Sequence, residues 1–337
     1  MIVQLSPTAT QPDRERIEAA FREYKFTLSL VQTRSCDYLI AVGGSADLDI
    51  RLIGHLPGVK DVHFVRDSYQ LSSSKWKVQP TVIDLGDGVT IGGGELALAA
   101  GPCSIESEAQ VEAIADHLKA SNVRIMRGGV FKPRTSPYSF RGGGIEYLTF
   151  FSEIAHSRGL KVITEVLEPS QIEPMHDLID IYQVGARNSQ NFSLLHELGK
   201  AGKPVMIKRG MSGTIDELLQ SAEYVFSAGN EQIILCERGI RTYENAYRNT
   251  FDINAIPILK EKTHLPVLAD PSHGIGIRRF VPNIACAAVA AGADGVIVEI
   301  HPTPELAKSD ADQTLDFDEA TRLFEATRKL ALLRESF

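Results

Sequence analysis

The chain has 337 residues, more than one ordinary domain needs and suited to a barrel plus a small additional domain. A net charge of −8 argues against a general nucleic-acid role, so any anion site must be a local concentration of Lys and Arg. The four cysteines (Cys36, Cys103, Cys236, Cys286) show neither CxxC nor disulfide-framework spacing, which predicts a reducing, cytoplasmic setting. No secretory pattern opens the sequence. The most apolar long stretch, Ile284 to Ile300, holds Asp294 and Glu299 and reads as a helix end followed by a strand, so no membrane association is expected.

In chain order, Ile2–Leu5 alternates as a strand does and Pro12 opens a polar helix to about Tyr24. Strand-like runs follow at Thr27–Gln32 and Tyr38–Val42, then a helix over roughly Ala46–Leu56 and a strand at Val59–Val65. This βαββαβ order predicts a small α+β, ferredoxin-like domain over residues 1–70, with no cluster of catalytic residue types. The segment Asp67–Gln79 is polar and reads as a linker, and a hairpin turns at Gly86-Asp-Gly88, so residues 71–95 form linker and hairpin.

From residue 96 to 337 the pattern becomes regular. Short apolar runs fall at Leu96–Ala100, Val123–Met126, Lys161–Thr164, Ile181–Val184, Val205–Ile207, Gln232–Leu235, Val267–Ala269 and Gly295–Val298. Amphipathic segments lie between them, among them Glu108–Ala120, Glu146–Ser157, Phe192–Ala201, Thr214–Ala228, Ile277–Ala291 and Phe317–Leu333, while the sixth connection is looser. Buried strands alternating with helices predict an α/β fold, a (β/α)8 TIM barrel. An open doubly wound sheet is the alternative, but no GxGxxG follows the first strand.

Catalytic residues of such barrels sit at the C-terminal ends of the strands. Here each run ends in reactive or charged groups: Gly101-Pro-Cys-Ser104, Arg127-Gly-Gly with KPRTS, Glu165, Gly185-Ala-Arg187-Asn188, Lys208-Arg209, Cys236-Glu-Arg238, Asp270-Pro-Ser-His273 and Glu299-Ile-His301. One polar strand end means little; eight in register predict an enzyme site. Arg127, Lys132, Arg134, Arg187, Lys208 and Arg238 supply positive charge for a substrate carrying carboxylate and phosphate. Cys103, His273, Glu299 and a further carboxylate form a mixed soft and hard donor set that fits a divalent transition metal better than Mg or Ca.

GPCSIESE (101–108), RGGVFKPRTSPYSF (127–140), QVGARNSQNF (183–192), IKRGMSGTIDE (207–217), ILCERGIRTYE (234–244), LADPSHGIG (268–276) and VEIHPTPELAKSD (298–310) together resemble the 3-deoxy-D-arabino-heptulosonate 7-phosphate (DAHP) synthase family. The resemblance spans essentially the whole chain. The N-terminal domain is similar to that of the regulated, type I beta branch. The resemblance implies the first step of the shikimate pathway: phosphoenolpyruvate, erythrose 4-phosphate and water give DAHP and phosphate. It implies metal ligands Cys103, His273, Glu299 and Asp310, with Mn²⁺ the expected ion. It implies a phosphoenolpyruvate site of Arg127, Lys132, Ala186, Arg187, Lys208 and Arg238, with Glu165 an active-site carboxylate. The erythrose 4-phosphate site would be Pro133, Arg134, Thr135, Ser136 and Asp270. Lys132, Glu165, Cys103 and His273 are the expected catalytic group, and a homotetramer or homodimer with an aromatic amino acid effector is expected.

Two departures stand out. RGGG replaces the common QGLG after KPRTSPYSF, and SDADQT replaces SDGxQS, which places Asp312 as a rival to Asp310. Alternative readings are 3-deoxy-octulosonate 8-phosphate synthase acting on arabinose 5-phosphate, which differs in the KPRTS loop, and a non-catalytic metabolite-sensing barrel.

Overall fold

Alternation along the first strands gives the N-terminal sheet two apolar faces. The computed structural model describes residues 1–45, 48–131 and 142–334. In it β1 (Ile2–Leu5), α1 (Gln11–Glu23), β2 (Phe26–Gln32), β3 (Asp37–Gly43), α2 (Ile50–Gly54) and β4 (Val59–His63) build an antiparallel sheet ordered β2-β3-β1-β4, the ferredoxin-like arrangement expected. Thr10 and Asp13 form a reciprocal capping box that starts α1. Helix α2 is shorter than the expected 46–56. Asp49 accepts a hydrogen bond from the Arg51 amide and opens the helix there, and residues 46–47 lie outside the described residues. Met1, Val3, Leu5, Leu39 and Ala41 pack against Ile17, Phe21 and Ile53 of the helices. Their neighbours Ile2, Tyr38 and Ile40 face the other way and join Trp76 and the outer core of the second domain.

The segment after β4 is not a free tether. Tyr69, Leu71, Ser72, Ser73 and Trp76 are buried. The Leu71 and Ser72 amides donate to the Glu223 carboxylate (2.8 and 3.0 Å), the Ser72 carbonyl accepts from the Thr263 hydroxyl (2.5 Å), and Trp76 Nε1 donates to the Leu71 carbonyl (2.8 Å). Its serines give it the composition of a linker, but here they hydrogen-bond inside a strap that lies between the two domains.

The hairpin β5 (Ile83–Asp84) and β6 (Thr90–Ile91) follows. Then come β7 (Ala97–Gly101), α3 (Glu108–Ala120), β8 (Ile125–Arg127), α4 (Gly144–Ser157), β9 (Lys161–Val166), α5 (Ile172–Met175), β10 (Ile181–Val184) and α6 (Phe192–Ala201). The chain continues through β11 (Val205–Lys208), α7 (Ile215–Ser227), β12 (Ile233–Glu237), α8 (Ala255–Lys262), β13 (Val267–Ala269), α9 (Pro271–Ile275), α10 (Val281–Ala290), β14 (Gly295–Glu299) and α11 (Phe317–Arg334). Strands β7 to β14, all parallel, close into a barrel, with β14 pairing to β7. The helix expected over Ile277–Ala291 is divided. Gly276, at φ +68°, ends α9, a 3₁₀ turn follows at Arg278–Phe280, and Pro282 opens α10. No helix among the described residues is long and apolar enough to cross a membrane.

Because side chains alternate along a strand, the barrel has an inner and an outer set. Ala97, Ala99, Ile125, Ile163, Ile181, Met206, Ile234, Leu268 and Ile297 fill the interior, and Ile83, Val89 and Ile91 of the hairpin complete that cluster. Leu98, Met126, Val162, Tyr182, Val205, Leu235, Val267 and Val298 face the helices.

His264 sits where strap and barrel meet. Its Nε2–H donates to the Leu71 carbonyl (2.8 Å), so in the neutral ring Nδ1 accepts from the Thr81 hydroxyl (2.7 Å), which in turn accepts from Lys77 Nζ (2.9 Å). Burial, reinforced by the Lys77 charge, lowers its pKa from 6.5 to about 4. The unfolded chain therefore binds a proton that the folded chain refuses. Stability on this account is intact above pH 6.5 and falls as the pH drops toward 4, by about 3 kcal/mol in total. Urea unfolding between pH 7 and 4.5 is expected to show a shallower acid loss for His264→Gln than for the parent chain.

Candidate active site

The same alternation positions the site. Counting two residues on from Ala99, Ile125, Ile163, Ile181, Met206, Ile234, Leu268 and Ile297 gives Gly101, Arg127, Glu165, Gln183, Lys208, Cys236, Asp270 and Glu299. The layer above the apolar interior, at the C-terminal mouth, is thus almost wholly polar. Two glycines make room in it. A Cβ on Gly101 would lie 1.9 Å from the Arg127 carbonyl oxygen, and one on Gly185 would lie 1.9 Å from Glu165 Oε1. The first allows the chain to turn from β7 to Cys103; the second leaves space for the Glu165 carboxylate.

Four expected metal ligands converge. Ligand atoms of Cys103, Glu299 and Asp310 all lie within 4.8 Å of one another. Cys103 Sγ is 3.2 Å from Asp310 Oδ2, and His273 Nε2 is 3.4 Å from Glu299 Oε1 and 3.7 Å from Asp310 Oδ2. Asp312 is exposed and does not join this group among the described residues, which favours Asp310.

Asp270 fixes the imidazole. Its backbone-facing oxygen caps α9 at the His273 amide (3.0 Å), and Oδ2 accepts from His273 Nδ1 (2.7 Å) and Lys208 Nζ (2.5 Å). Burial opposes the charge on Asp270, but His273 and Lys208 outweigh it and hold the carboxyl well below its usual range. Burial also lowers the pKa of His273 against the pull of Asp270 and Glu299. A neutral ring protonated on Nδ1 points a bare Nε2 lone pair at two carboxylates. Electron-rich atoms facing one another in this way fit a cation between them, and the thiol adds a soft donor. Asp310 adopts φ +55° in the left-handed region, where a non-glycine residue is uncommon.

Arg127 pairs with Glu299 of this group, and Lys208 with the neighbouring Asp270. Arg127, Lys208 and Arg238 are buried. Arg127 Nη1 bonds Glu299 Oε1 and the Pro102 carbonyl, both at 2.9 Å, so it adjoins the metal set. Burial lowers the pKa of Arg238 from its usual value. Ala186 and Arg187 lie in the 3₁₀ turn after β10, with Arg187 exposed. Lys132, Pro133, Arg134, Thr135 and Ser136 lie outside the described residues.

Several groups at the site escaped sequence reasoning. Gln183 faces the mouth beside Glu165, paired in register. Gln313 Nε2 donates to Glu299 Oε2 (2.5 Å), and Arg248 contacts Asp310 Oδ1 (3.1 Å) and Gln313 Oε1 (2.5 Å). Strand parity would have identified Gln183. No spacing signal marks Gln313, at the end of the 3₁₀ turn Ala311–Gln313, or Arg248, which reaches the site from a loop. Chelator competition with a divalent metal ion is expected to show about a 100-fold or greater loss of affinity for Cys103→Ala, and a loss of about 10- to 100-fold for Asp270→Asn, which touches His273 rather than the Cys103, Glu299 and Asp310 group.

A family model described as DAHP synthetase I family matches residues 75–334. Phospho-2-dehydro-3-deoxyheptonate aldolase of Thermotoga maritima is 43% identical over 331 residues, covering 98% of both chains. Its crystal structure superposes with a TM-score of 0.79 over 98% of this chain and 97% of that one, at 42% identity. A truncated form of the Thermotoga enzyme gives a TM-score of 0.74 at 45% identity, over 79% of this chain and 97% of that one. A 2-dehydro-3-deoxyphosphooctonate aldolase of Syntrophobacter fumaroxidans is 34% identical over 257 residues, 71% of this chain and 88% of its own. With its closed parallel barrel and the polar layer at its mouth, the chain belongs to the DAHP synthetase I family.

Proposed function

We propose that the protein is a DAHP synthase, joining phosphoenolpyruvate to erythrose 4-phosphate with uptake of water and release of phosphate. The observation that carries this reading is the convergence of Cys103, His273, Glu299 and Asp310 beside buried Arg127, Lys208 and Arg238. Likeness to the heptonate aldolase along the full chain, against 71% coverage for the octulosonate aldolase, supports erythrose 4-phosphate over arabinose 5-phosphate.

The enol phosphate is a masked carbon nucleophile. Its methylene carbon bonds to the aldehyde carbon, the aldehyde oxygen takes up a proton, water adds at the former enol carbon, and phosphate departs. Arg127, Arg187, Lys208 and Arg238, with Lys132, neutralise the carboxylate and phosphate and hold that substrate in line. Cys103, His273, Glu299 and Asp310 would hold a divalent ion, for which we propose Mn²⁺ and which supplies Lewis acidity toward the aldehyde oxygen. Asp270 keeps His273 and Lys208 oriented. Proton transfer falls to Glu165, whose carboxylate lies against Gly185, to Lys132 or to a metal-ligand side chain in this reading. Pro133, Arg134, Thr135 and Ser136 select the aldose phosphate, with Asp270 contributing. Phosphate release with Mn²⁺, phosphoenolpyruvate and erythrose 4-phosphate tests the reading. Turnover that EDTA abolishes is expected, and equal turnover with arabinose 5-phosphate would refute the aldose assignment.

The first seventy residues form a regulatory domain in this reading, and the working form is a homotetramer or homodimer. The packing of Ile2, Tyr38 and Ile40 of that domain against Trp76 of the strap, in one cluster with the outer core of the barrel, supports a role that acts on the barrel. Regulation requires two states that an effector binds unequally. Tyrosine or phenylalanine at millimolar concentration is expected to lower the rate of the full-length enzyme; rates unchanged by any aromatic amino acid would exclude the regulatory role.

A further inference from the structure

Lys208 and Arg238 occupy adjacent strand ends and face the mouth, while the residues beside them in sequence, Arg209 and Glu237, carry opposite charges and are themselves buried. Arg209 Nη1 bonds Glu237 Oε2 (2.9 Å) and Asp252 Oδ2 (2.8 Å), and its Nε donates to the Gly213 carbonyl (2.9 Å). Glu237 Oε1 accepts from the Gly239 amide (2.6 Å), and the Glu237 carbonyl accepts from the Asp270 amide (2.8 Å). Gly239 is held at φ +85°, where a Cβ would press on Asn249 Cβ at 2.9 Å. These bonds clamp the backbone on the far side of both Lys208 and Arg238.

A fully buried ion pair is weak evidence for stability, since apolar replacements of similar size are often as stable. Fixed direction is what a branched pair of this kind supplies: the guanidinium fork has one orientation that meets both carboxylates and the Gly213 carbonyl. We infer that the Arg209–Glu237–Asp252 triad is a positioning device that aims Lys208 and Arg238 at the oxyanions of the enol phosphate. The inference rests on the function proposed above, and none of the three residues touches substrate in it. Asp252 anchors the segment between β12 and α8, so the triad also joins that loose connection to the strand ends that carry Lys208 and Arg238.

The test compares the parent with Arg209→Met/Glu237→Met, which removes both deeply buried charges together and leaves neither orphaned, and with Asp252→Asn at the more exposed end. Thermal unfolding establishes that each variant is folded. Steady-state kinetics are expected to show the KM for phosphoenolpyruvate raised about 10-fold or more in the double variant and about threefold in Asp252→Asn, with the KM for erythrose 4-phosphate changed less than twofold. Calorimetric titration with phosphoenolpyruvate and with inorganic phosphate is expected to show the same ranking. Arg209→Lys is expected to recover only part of the loss, because a single ammonium cannot fork between two carboxylates. A folded double variant with unchanged affinity for both anions, or one whose two KM values rise together, overturns the inference. If the parent condenses no aldose phosphate but binds phosphate more tightly than the double variant does, the proposed reaction falls and the triad stands. If the parent binds neither anion, both fall.

Discussion

Everything at the mouth of this barrel depends on the two-residue period of a strand held in a closed sheet. Closure leaves no freedom to rotate one strand without breaking its hydrogen bonds to both neighbours, so each strand must present the same parity inward. Eight apolar side chains facing inward, one from each strand, then require the next inward position of each strand to face the same interior nearer the mouth, and seven of those eight carry polar or sulfur-bearing side chains. Ionisable groups that water would otherwise keep apart are brought within hydrogen-bond range by backbone geometry alone. The result is a chain of contacts from Lys208 through Asp270 to His273 and on to Glu299 and Arg127. Removing one member would leave its neighbours buried with uncompensated charge.

Within that layer, charge is arranged by mutual constraint. Asp270 stays ionised because His273 and Lys208 are both against it, and because it stays ionised it dictates which nitrogen of His273 carries the proton. The opposite nitrogen is thereby committed to the donor set. Arg127 bonds Glu299 directly, so one of the buried cations touches the carboxylate cluster itself.

Much of this was legible in the residues. Apolar runs ending in charged or sulfur-bearing groups are a direct print of strands entering a reactive mouth, and the barrel, the ferredoxin-like domain and the hairpin all follow from periodicity. Other features are harder to read from the residues. Gln183 was hidden because Ile181–Val184 reads as one apolar run, although parity with Ile181 places it inward. Arg248 comes from a loop and Gln313 from a single 3₁₀ turn, where no repeat specifies direction. The Asp67–Gln79 segment looked like a tether because serine is common in tethers, yet Ser72 and Ser73 are buried and bonded; composition reports polarity and cannot report whether a partner is present. The run Ile277–Ala291 looked helical throughout because the 3₁₀ turn at Arg278–Phe280 keeps nearly the same period.

The strap has a further consequence for how the molecule comes apart. Tyr69, Leu71 and Trp76 belong to the same apolar cluster as the outward-facing side chains of the barrel strands, and that cluster also takes in Ile2, Tyr38 and Ile40. Peeling the N-terminal sheet and the strap away together would expose a whole face of it and strip the Leu71 and Ser72 amides from Glu223. Domains joined by a loose hinge melt in separate steps. Here the two parts share one apolar cluster, so separating them exposes apolar surface to water, a cost that a loose hinge does not carry.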